Sequence, residues 1–407
     1  MFALAVGCSD PAAPKVSRPA NAVDVVLNFC FLPPTWLAVK NDGYEWTAVP
    51  TAGFATQYQV PVTPKVTIAF GFASEFEPGY SEVHVFNITA QELADMTCGP
   101  PLGLNQMTAS VAGVGADDGV SGSLGPGFGY LLPGEVTMNF ITVPSGLQDL
   151  VAQHRSPSYA PPDKYIVRHD VTVSNFGTLA TLDFSSAEAV APVPVVMAAP
   201  GASDWASTYI TNRGAVATLM YFGFTQDSAT VPLIPASVLA PGDGFSVSAN
   251  SATRYVTRYF ASPVPQTIAL GPALSTPTIT TVASTPSLLM RAELPSQAEY
   301  PSLAVATFGQ GADYPQKTIS VVMTSGYLGG TPATWALEIP DLTKVITKDL
   351  LLSSGVTTSW TVEAWDARMP LFFNRFGAND GETVRCATAS SASALSDCHS
   401  PITLPFP

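Results

Sequence analysis

The sequence contains few charged residues. Only 12% of its 407 residues are Asp, Glu, Lys or Arg, about half the fraction typical of a globular protein. Lys and Arg total 17 against 31 Asp and Glu, and the net charge is -14. Nucleic acids and anionic membrane surfaces both bind clustered cations, and the sequence has no such cluster. We therefore expect no nucleic-acid partner, and no membrane contact other than through a lipid anchor.

The residue types of common catalytic and metal sites are also scarce. The four histidines are His84, His154, His169 and His399, and none of them are spaced as in the zinc motifs H-x-x-x-H or H-E-x-x-H. No C-x-x-C is present, and "GVSGSLG" misses the G-x-S-x-G spacing of a nucleophile elbow. We predict no metal, no cofactor and no catalytic residue, so the protein is not expected to be an enzyme.

Two histidines lie in runs that read as strands. In "EVHVF", His84 alternates with valines, which predicts a solvent-facing side chain. In "VRHDVTV", neighbouring side chains point to opposite faces of a strand. Arg168 and Asp170 are therefore expected to share a face and to pair, while His169 points away from them.

The acidic residues single out no catalytic pair. Asp117 and Asp118 in "GADDGVSG" lack the D-x-D-x-D spacing of calcium loops, so a plain turn is favoured over a calcium site. Glycoside hydrolysis needs two carboxylates about 5 to 10 Å apart. The candidate acids are Asp163, Asp183, Glu188 and Glu363. An extracellular glycan-acting hydrolase with unidentified carboxylates therefore stays the alternative to a binding protein.

Long apolar runs are missing as well. No stretch reaches the roughly 18 uncharged residues of a transmembrane helix, and "AVAPVPVVMAAPGA" is interrupted by prolines. Helical heptads are absent, and "TAQELADM" is the one segment that reads as a short helix. With 46% hydrophobic residues, the chain is nevertheless too apolar for disorder that arises from low hydrophobicity.

Short β-branched runs are abundant instead. They recur every 8 to 12 residues from residue 23 onward, separated by many of the 37 prolines and 31 glycines. Such a pattern is typical of β-sandwiches, and "NDG" at residues 41–43 predicts a hairpin turn. The fold class is therefore predicted to be all-β, a tandem of β-sandwich modules of immunoglobulin-like or fibronectin-like type, similar to extracellular modules of no named family.

The modules are assigned from turn clusters and from the proline-rich joint near residue 193. Residues 1–22 are predicted to form a signal remnant, a lipid-anchor cysteine and a flexible tether. The folded segments are 23–98 as a β-sandwich, 105–192 as a β-sandwich, 193–275 as a β domain, and 276–407 as a β-sandwich with a C-terminal disulfide loop.

Five cysteines allow two disulfides and leave one residue over. Closeness in sequence and in domain favours Cys30 with Cys98 and Cys386 with Cys398, among three connectivities open to four cysteines. Cys8 is the residue left over.

The stretch "LAVGC" around Cys8 resembles the lipobox of bacterial lipoproteins. Gly7, Val6 and Ala5 precede the cysteine, and Leu4 lies one place before the family's preferred position. The resemblance implies cleavage before Cys8, diacylation of that cysteine and a lipid-anchored location in the cell envelope. A complete signal peptide is longer than residues 1–7, so either the true start precedes Met1 or the likeness to a lipobox is accidental. In the second case Cys8 belongs to a plain secretory remnant or is a free thiol.

Four tryptophans are candidates for contact with a ligand. Trp36 and Trp46 flank the predicted hairpin turn, while Trp360 and Trp365 lie five residues apart, an odd spacing that places them on opposite faces of a strand. Core packing and ligand contact both fit these side chains. The sequence thus favours a non-catalytic envelope or surface lipoprotein that serves binding, adhesion or surface assembly, with an unidentified glycan or protein partner.

Overall fold

A computed structural model describes residues 18–29, 33–51, 57–73, 80–95, 105–132, 134–211, 227–311, 317–368, 379–391 and 398, and the backbone of 216–219. Strands make up 56% of the structure and helices 5%. The predicted all-β, sandwich-type fold is therefore confirmed.

The strands of the first half of the chain, in order, are β1 (Val23–Asn28), β2 (Trp36–Asn41), β3 (Thr47–Val49), β4 (Gln57–Val62), β5 (Lys65–Ala73), β6 (Ser81–Thr89), β7 (Asn105–Ala112), β8 (Gly119–Leu124), β9 (Gly127–Leu131), β10 (Thr137–Val143), β11 (Gly146–Arg155), β12 (Lys164–Val173) and β13 (Gly177–Asp183). Those of the second half are β14 (Val193–Ala198), β15 (Asp204–Ile210), β16 (Val216–Leu219), β17 (Ser228–Leu233), β18 (Gly244–Ser251), β19 (Arg254–Phe260), β20 (Gln266–Thr267), β21 (Thr278–Ala283), β22 (Leu289–Pro295), β23 (Leu303–Gln310), β24 (Lys317–Thr324), β25 (Thr334–Glu338), β26 (Ser359–Asp366) and β27 (Thr383–Ser390). The helices are α1 (Ala90–Asp95) and α2 (Ser325–Leu328), with single 3-10 turns at Ala236–Val238 and Lys348–Leu350.

The predicted "NDG" hairpin turn and the predicted short helix are both present in the structure. The "NDG" turn joins β2 to β3, with Gly43 at a φ of 78° and the Tyr44 amide 3.0 Å from the Asn41 carbonyl. The predicted helix is α1, which begins at a capping box. Thr89 Oγ1 accepts from the Glu92 amide at 3.1 Å, and Glu92 Oε2 accepts from the Thr89 amide at 2.8 Å.

The largest sheet has 12 strands, in the order β16-β15-β18-β19-β27-β26-β23-β24-β6-β5-β2-β3. Most of its neighbouring strands are antiparallel, but β24 and β6 pair in parallel, from Lys317 opposite Ser81 to Met323 opposite Asn87. The strands come from three of the predicted segments, 23–98, 193–275 and 276–407. The segment boundaries stay a prediction, and the sheet runs across them.

This sheet carries hydrophobic cores on both faces. On one face, β5, β6, β23 and β24 pack against α1 and the two-stranded sheet β1-β4. On the other face they pack against the three-stranded sheet β21-β22-β25. Near one end, β15, β18 and β19 pack against a further three-stranded sheet, β17-β14-β20. Smaller sheets thus cover the large one as the outer layers of a sandwich.

The seven-stranded sheet has the order β12-β11-β8-β9-β10-β7-β13. All seven strands contribute buried side chains to one core, so the sheet bends around its own interior. Arg168 on the edge strand β12 donates to the carbonyls of Ala180 and Thr181 on the other edge strand, at 2.8 and 2.7 Å. Lys164 on β12 also donates to the carbonyl of Phe184, directly after β13, at 2.6 Å, so side chains of β12 link the two edges.

The ion pair of Arg168 differs from the Arg168–Asp170 pair that strand alternation predicted. Arg168 forms a bidentate ion pair with Glu188 at 2.6 and 2.8 Å, a partner that alternation alone does not identify. Asp170 has a φ of 56° and lies where the β11–β12 register shifts. This bulge interrupts the alternation on which the predicted Arg168–Asp170 pair depended.

One of the two expected disulfides lies within the described residues. Cys386 and Cys398 are bonded with a Cα separation of 6.0 Å, and the buried Cys386 belongs to the core beneath β1 and β4. Cys8, Cys30 and Cys98 lie outside the described residues.

Candidate binding face

Strand β9 has its glycines inside and its aromatic residues outside. A Cβ at Gly127 would lie 2.5 Å from the Ile141 carbonyl oxygen, and one at Gly129 would lie 2.6 Å from that of Asn139. Only glycine therefore fits these inward positions. Phe128 and Tyr130 alternate with them and point to solvent, with 52% and 58% of their surface exposed.

The neighbouring strands extend this surface sideways. On β10, Ile141 lies opposite Phe128, and Asn139 lies opposite Tyr130. On β8, Ser123 and Ser121 occupy the matching positions. Ser123 is buried, and its Oγ donates to the Gly125 carbonyl at 2.5 Å. We define the other five residues, Ser121, Phe128, Tyr130, Asn139 and Ile141, as the aromatic face. It lies at the middle of the seven-stranded sheet, on its outer surface.

The aromatic face carries no charge. Strands β7 to β10 contain no Asp, Glu, Lys or Arg. Beyond Asn139 the same surface continues through Thr108 and Thr178, whose Oγ1 atoms are 3.5 Å apart. Exposed rings beside hydroxyl and amide groups can pack against a ligand and orient it by hydrogen bonds.

The predicted tryptophans lie elsewhere. Trp36, Trp46 and Trp360 are partly buried and pack against the core beneath β21-β22-β25. Trp365 is buried in the core on the opposite face of the large sheet. The structure brings none of the four to the aromatic face, so ligand contact by them stays a prediction. The signal that sequence reasoning missed is "GFGYL", where alternating glycines leave only outward positions for the aromatics.

His84 is buried, contrary to the expectation that it faces solvent. Both faces of β6 are covered by cores, so alternation with valine does not mark an exposed side. Its ring centroid lies 5.2 Å from that of Phe70, and Nε2 lies 3.0 Å from Glu82 Oε1. Burial alone raises the pKa of Glu82, but the hydrogen bond and charge of His84 bring that pKa below its usual value.

His154 connects two loops at the end of β11. Its Nδ1 lies 2.6 Å from Asp163 Oδ1, and its Nε2 lies 2.9 Å from Asp118 Oδ2. Asp118 also accepts from the Gly115 amide at 2.5 Å. That bond, with others from Ser156 and His154, lowers the pKa of Asp118 to about 2. The "GADDG" loop is thus a turn tied to His154, in keeping with the interpretation that the sequence favoured.

A third cluster lies between the seven-stranded sheet and the segment before β18. His169 Nδ1 is 3.5 Å from Asp149 Oδ1, and His169 Nε2 is 3.7 Å from Asp243 Oδ2. Two carboxylates and an imidazole within 4.8 Å of one another are a donor set that suits a divalent cation. The exposed fractions of the two Asp side chains are only 3% and 0%.

The carboxylates of this cluster already accept hydrogen bonds from the protein. Asp243 Oδ2 accepts from the Tyr209 hydroxyl and, at 2.8 Å, from the Ala240 amide. Asp149 Oδ1 accepts from the Asp170 amide at 3.1 Å. Burial and the Asp243 hydrogen bond raise the pKa of Tyr209, which keeps the phenol protonated as a donor. We therefore describe the cluster as a buried polar junction, where two hydrophobic cores meet.

The four acids considered for glycoside hydrolysis each have a structural partner. Asp163 contacts His154, Glu188 pairs with Arg168, and Asp183 accepts from the Ser185 amide at 2.9 Å. The fourth, Glu363, accepts from Trp365 Nε1 at 2.9 Å, and burial raises its pKa to about 8. His399, the fourth histidine, lies outside the described residues.

Comparisons with known proteins give no assignment. No protein-family model matches the sequence, and no curated protein does. A solved structure titled "Crystal structure of tetra-tandem repeat in extending region of large adhesion protein" aligns with 91% of this chain and 100% of that chain. The identity is 10% and the TM-score 0.14, values too low to carry an argument. Within the described residues, no helix is long and apolar enough to cross a membrane.

Proposed function

We propose that this protein is a non-catalytic binding protein of the cell envelope or cell surface, which serves adhesion or surface assembly and contacts its partner through the aromatic face. The observation that carries this proposal is the pair of half-exposed rings of Phe128 and Tyr130 on a central strand. Apolar groups exposed together on one surface are typical of interaction sites.

The chemistry of the ionisable groups supports binding rather than hydrolysis. Asp149 and Asp243 are close enough together for a pair of glycosidase carboxylates, yet their exposed fractions leave no room for a sugar. The raised pKa of Glu363 suits a general acid, but its side chain is buried and bonded to Trp365. The aromatic face is exposed to a ligand, and the strands that form it contain no Asp, Glu, Lys or Arg.

A location outside the cytoplasm is supported by the Cys386–Cys398 bond. Disulfides form and persist mainly in oxidising compartments. The low charge and tandem sandwich fold are also common among secreted modules. We therefore place the protein outside the cytoplasm, lipid-anchored in a bacterial envelope or secreted.

The lipid anchor at Cys8 has its own test. When the chain is expressed from its full native start, Cys8→Ala should move the protein from the membrane fraction to the soluble fraction. The reason is that acyl chains contribute about 0.8 kcal/mol per buried CH₂. The thermal stability should not change, because Cys8 is assigned to no core. Membrane retention of Cys8→Ala, or an unmodified Cys8 in the wild-type mass spectrum, would contradict a lipid anchor at Cys8.

The binding function is tested by incubating the purified chain with extracellular polysaccharides, matrix proteins and envelope fractions. Retention and product release are measured together. We expect saturable retention without release of soluble products, and loss of retention in Phe128→Ala/Tyr130→Ala. Product release that disappears in Glu363→Gln would establish the hydrolase alternative instead.

A further inference from the structure

We infer that the aromatic face binds a neutral polysaccharide chain, with sugar rings packed on Phe128 and Tyr130 and hydroxyl groups bonded by the flanking polar side chains. This inference rests on the proposed binding function and adds the chemical class of the ligand.

The two rings match the apolar side of a sugar. A sugar ring presents C–H groups on its faces, and an exposed aromatic side chain offers a flat apolar surface that can cover them. Phe128 and Tyr130 are two positions apart on one strand, so their Cα atoms are about 6.6 Å apart. An extended oligosaccharide can therefore contact both rings through successive units.

The polar neighbours match the hydroxyl groups of the same ligand. Asn139 is exposed directly beside Tyr130, and its amide both donates and accepts. On the other side of Tyr130, Ser121 Oγ accepts from Gln153 Nε2 at 2.7 Å, which orients that hydroxyl. Thr108 extends the row beyond Asn139. Rings in the middle and uncharged hydrogen-bonding groups on both sides are what a sugar chain requires.

The charge of the protein and of the aromatic face determines which class of polysaccharide fits. With a net charge of -14, the protein repels anionic chains at long range. Strands β7 to β10 offer no Lys or Arg to bind uronate or sulfate groups, and no carboxylate to bind an aminosugar cation. A face without charged side chains therefore suits an uncharged polysaccharide.

The size of the face favours a chain over a folded protein. A stable protein interface covers about 800 Å² per partner around a dense apolar centre. Here three exposed apolar side chains, Phe128, Tyr130 and Ile141, stand among hydroxyl and amide groups. A protein partner and a second copy of this chain are the competing occupants that the test distinguishes.

The test uses affinity electrophoresis of the full chain in gels that contain one soluble polysaccharide each. The neutral set is laminarin, arabinoxylan, dextran and mannan, and the charged set is polygalacturonate and chitosan. The binding variant is Phe128→Ala/Tyr130→Ala. The matched control, Tyr159→Ala/Phe176→Ala, removes the same atoms from residues outside β7 to β10 that are 87% and 75% exposed. Thermal unfolding verifies that both variants stay folded.

We expect retardation by at least one neutral polysaccharide and none by polygalacturonate. Cationic chitosan attracts a protein with a net charge of -14 at long range, so any retardation by chitosan should be the same for the wild type and the binding variant. The dissociation constant should rise at least tenfold in the binding variant and less than twofold in the control. Asn139→Ala should weaken binding to an intermediate degree. No retardation in any neutral gel, or equal retardation of both double variants, overturns the inference.

The inference and the proposed function can fail separately. If the binding variant loses retention on a matrix protein while no neutral polysaccharide binds, the aromatic face is a protein-binding site and only the inference fails. If ultracentrifugation shows a wild-type dimer that the binding variant abolishes, the face is occupied by a second copy and the inference is again wrong. If the wild type binds nothing in either assay, both fail.

Discussion

Two acidic residues have native pKa values that depart from the ordinary ones in opposite directions, so we expect them to contribute oppositely to the pH dependence of stability. Glu363 lies inside a hydrophobic core, where burial raises its pKa to about 8. Asp118 lies in a turn, where three hydrogen bonds lower its pKa to about 2. Neither shift is visible in the sequence, because burial and bonding partners come from distant segments.

Glu363→Gln is expected to stabilise the protein in mildly alkaline solution. Between pH 4.5, the ordinary pKa of Glu, and about 8, the unfolded chain releases a proton that native Glu363 keeps. The free energy of unfolding therefore falls as the pH rises through this range. The neutral amide removes this loss, which is worth about 5 kcal/mol at most. Urea unfolding at pH 5 and pH 8.5 measures it.

The surface variant Glu299→Gln is the control, since residue 299 is exposed. It should leave the pH dependence of unfolding unchanged. Equal pH profiles for wild type and Glu363→Gln would show that Glu363 is ionised in the native protein at neutral pH.

Asp118→Asn is expected to have the opposite dependence. The native pKa of Asp118 is lower than its ordinary value of 3.8, so its contribution to stability is present above about pH 4 and is lost as the pH falls toward 2. The variant should lose about 1 kcal/mol at pH 7 and almost nothing at pH 2. Asp117→Asn, next to it and exposed, should change little at either pH. Thermal unfolding between pH 2 and pH 7 measures this difference. Equal stability of the two variants at every pH would show that the hydrogen bonds of Asp118 do not stabilise the protein.

At the scale of single elements, the sequence predicts a strand well when hydrophobic alternation and the buried face coincide. The "NDG" hairpin and the capped helix α1 both follow from local chemistry. The orientation of strand β9 does not follow from hydrophobic alternation, because its inward positions are glycines and its outward positions are aromatic residues. The bulge at Asp170 likewise reverses an alternation that the letters "VRHDVTV" suggest.

Gly129→Ala tests the packing of β9. A Cβ there would lie 2.6 Å from a backbone oxygen of β10, too close to be relieved by a side-chain rotation. We expect a loss of about 2 kcal/mol of stability or more, together with weaker ligand binding. At Gly244 in β18 the nearest atom to an added Cβ is 3.5 Å away, so Gly244→Ala should cost little. Denaturant midpoints for the two variants measure the difference, and a tolerated Gly129→Ala would contradict the close approach of β9 and β10.

At the scale of the whole molecule, the sequence indicates the fold class and the recurrence of strands, but not how distant segments join. The parallel pairing of β6 with β24 connects residues more than 230 positions apart, and no local pattern specifies it. The buried state of His84 follows from the same long-range packing. His84 is buried because β6 lies inside the large sheet between two cores, and the alternation of His84 with valines does not show this position.

Separately expressed segments should differ in their ability to fold. Residues 105–192 contain a sheet that bends around its own core, with its edges held by Arg168. We expect this segment to fold alone. In residues 23–98, β6 would lose its partner β24 and expose Val83 and Val85, which pack on the core beneath β21-β22-β25. Proton–nitrogen correlation spectra should be dispersed for 105–192 and collapsed for 23–98, and the reverse pattern would refute the topology described.

We propose that this protein acts by binding through the aromatic face of the seven-stranded sheet. Hydrogen–deuterium exchange of the full chain, with and without a retained polysaccharide or envelope fraction, tests it most directly. We expect slower exchange in peptides that cover Gly119–Leu124, Gly127–Leu131 and Thr137–Val143, with exchange in the remaining described strands unchanged. Protection confined to the peptides around Glu363, or around Asp149 and His169, with none in β9, would contradict it.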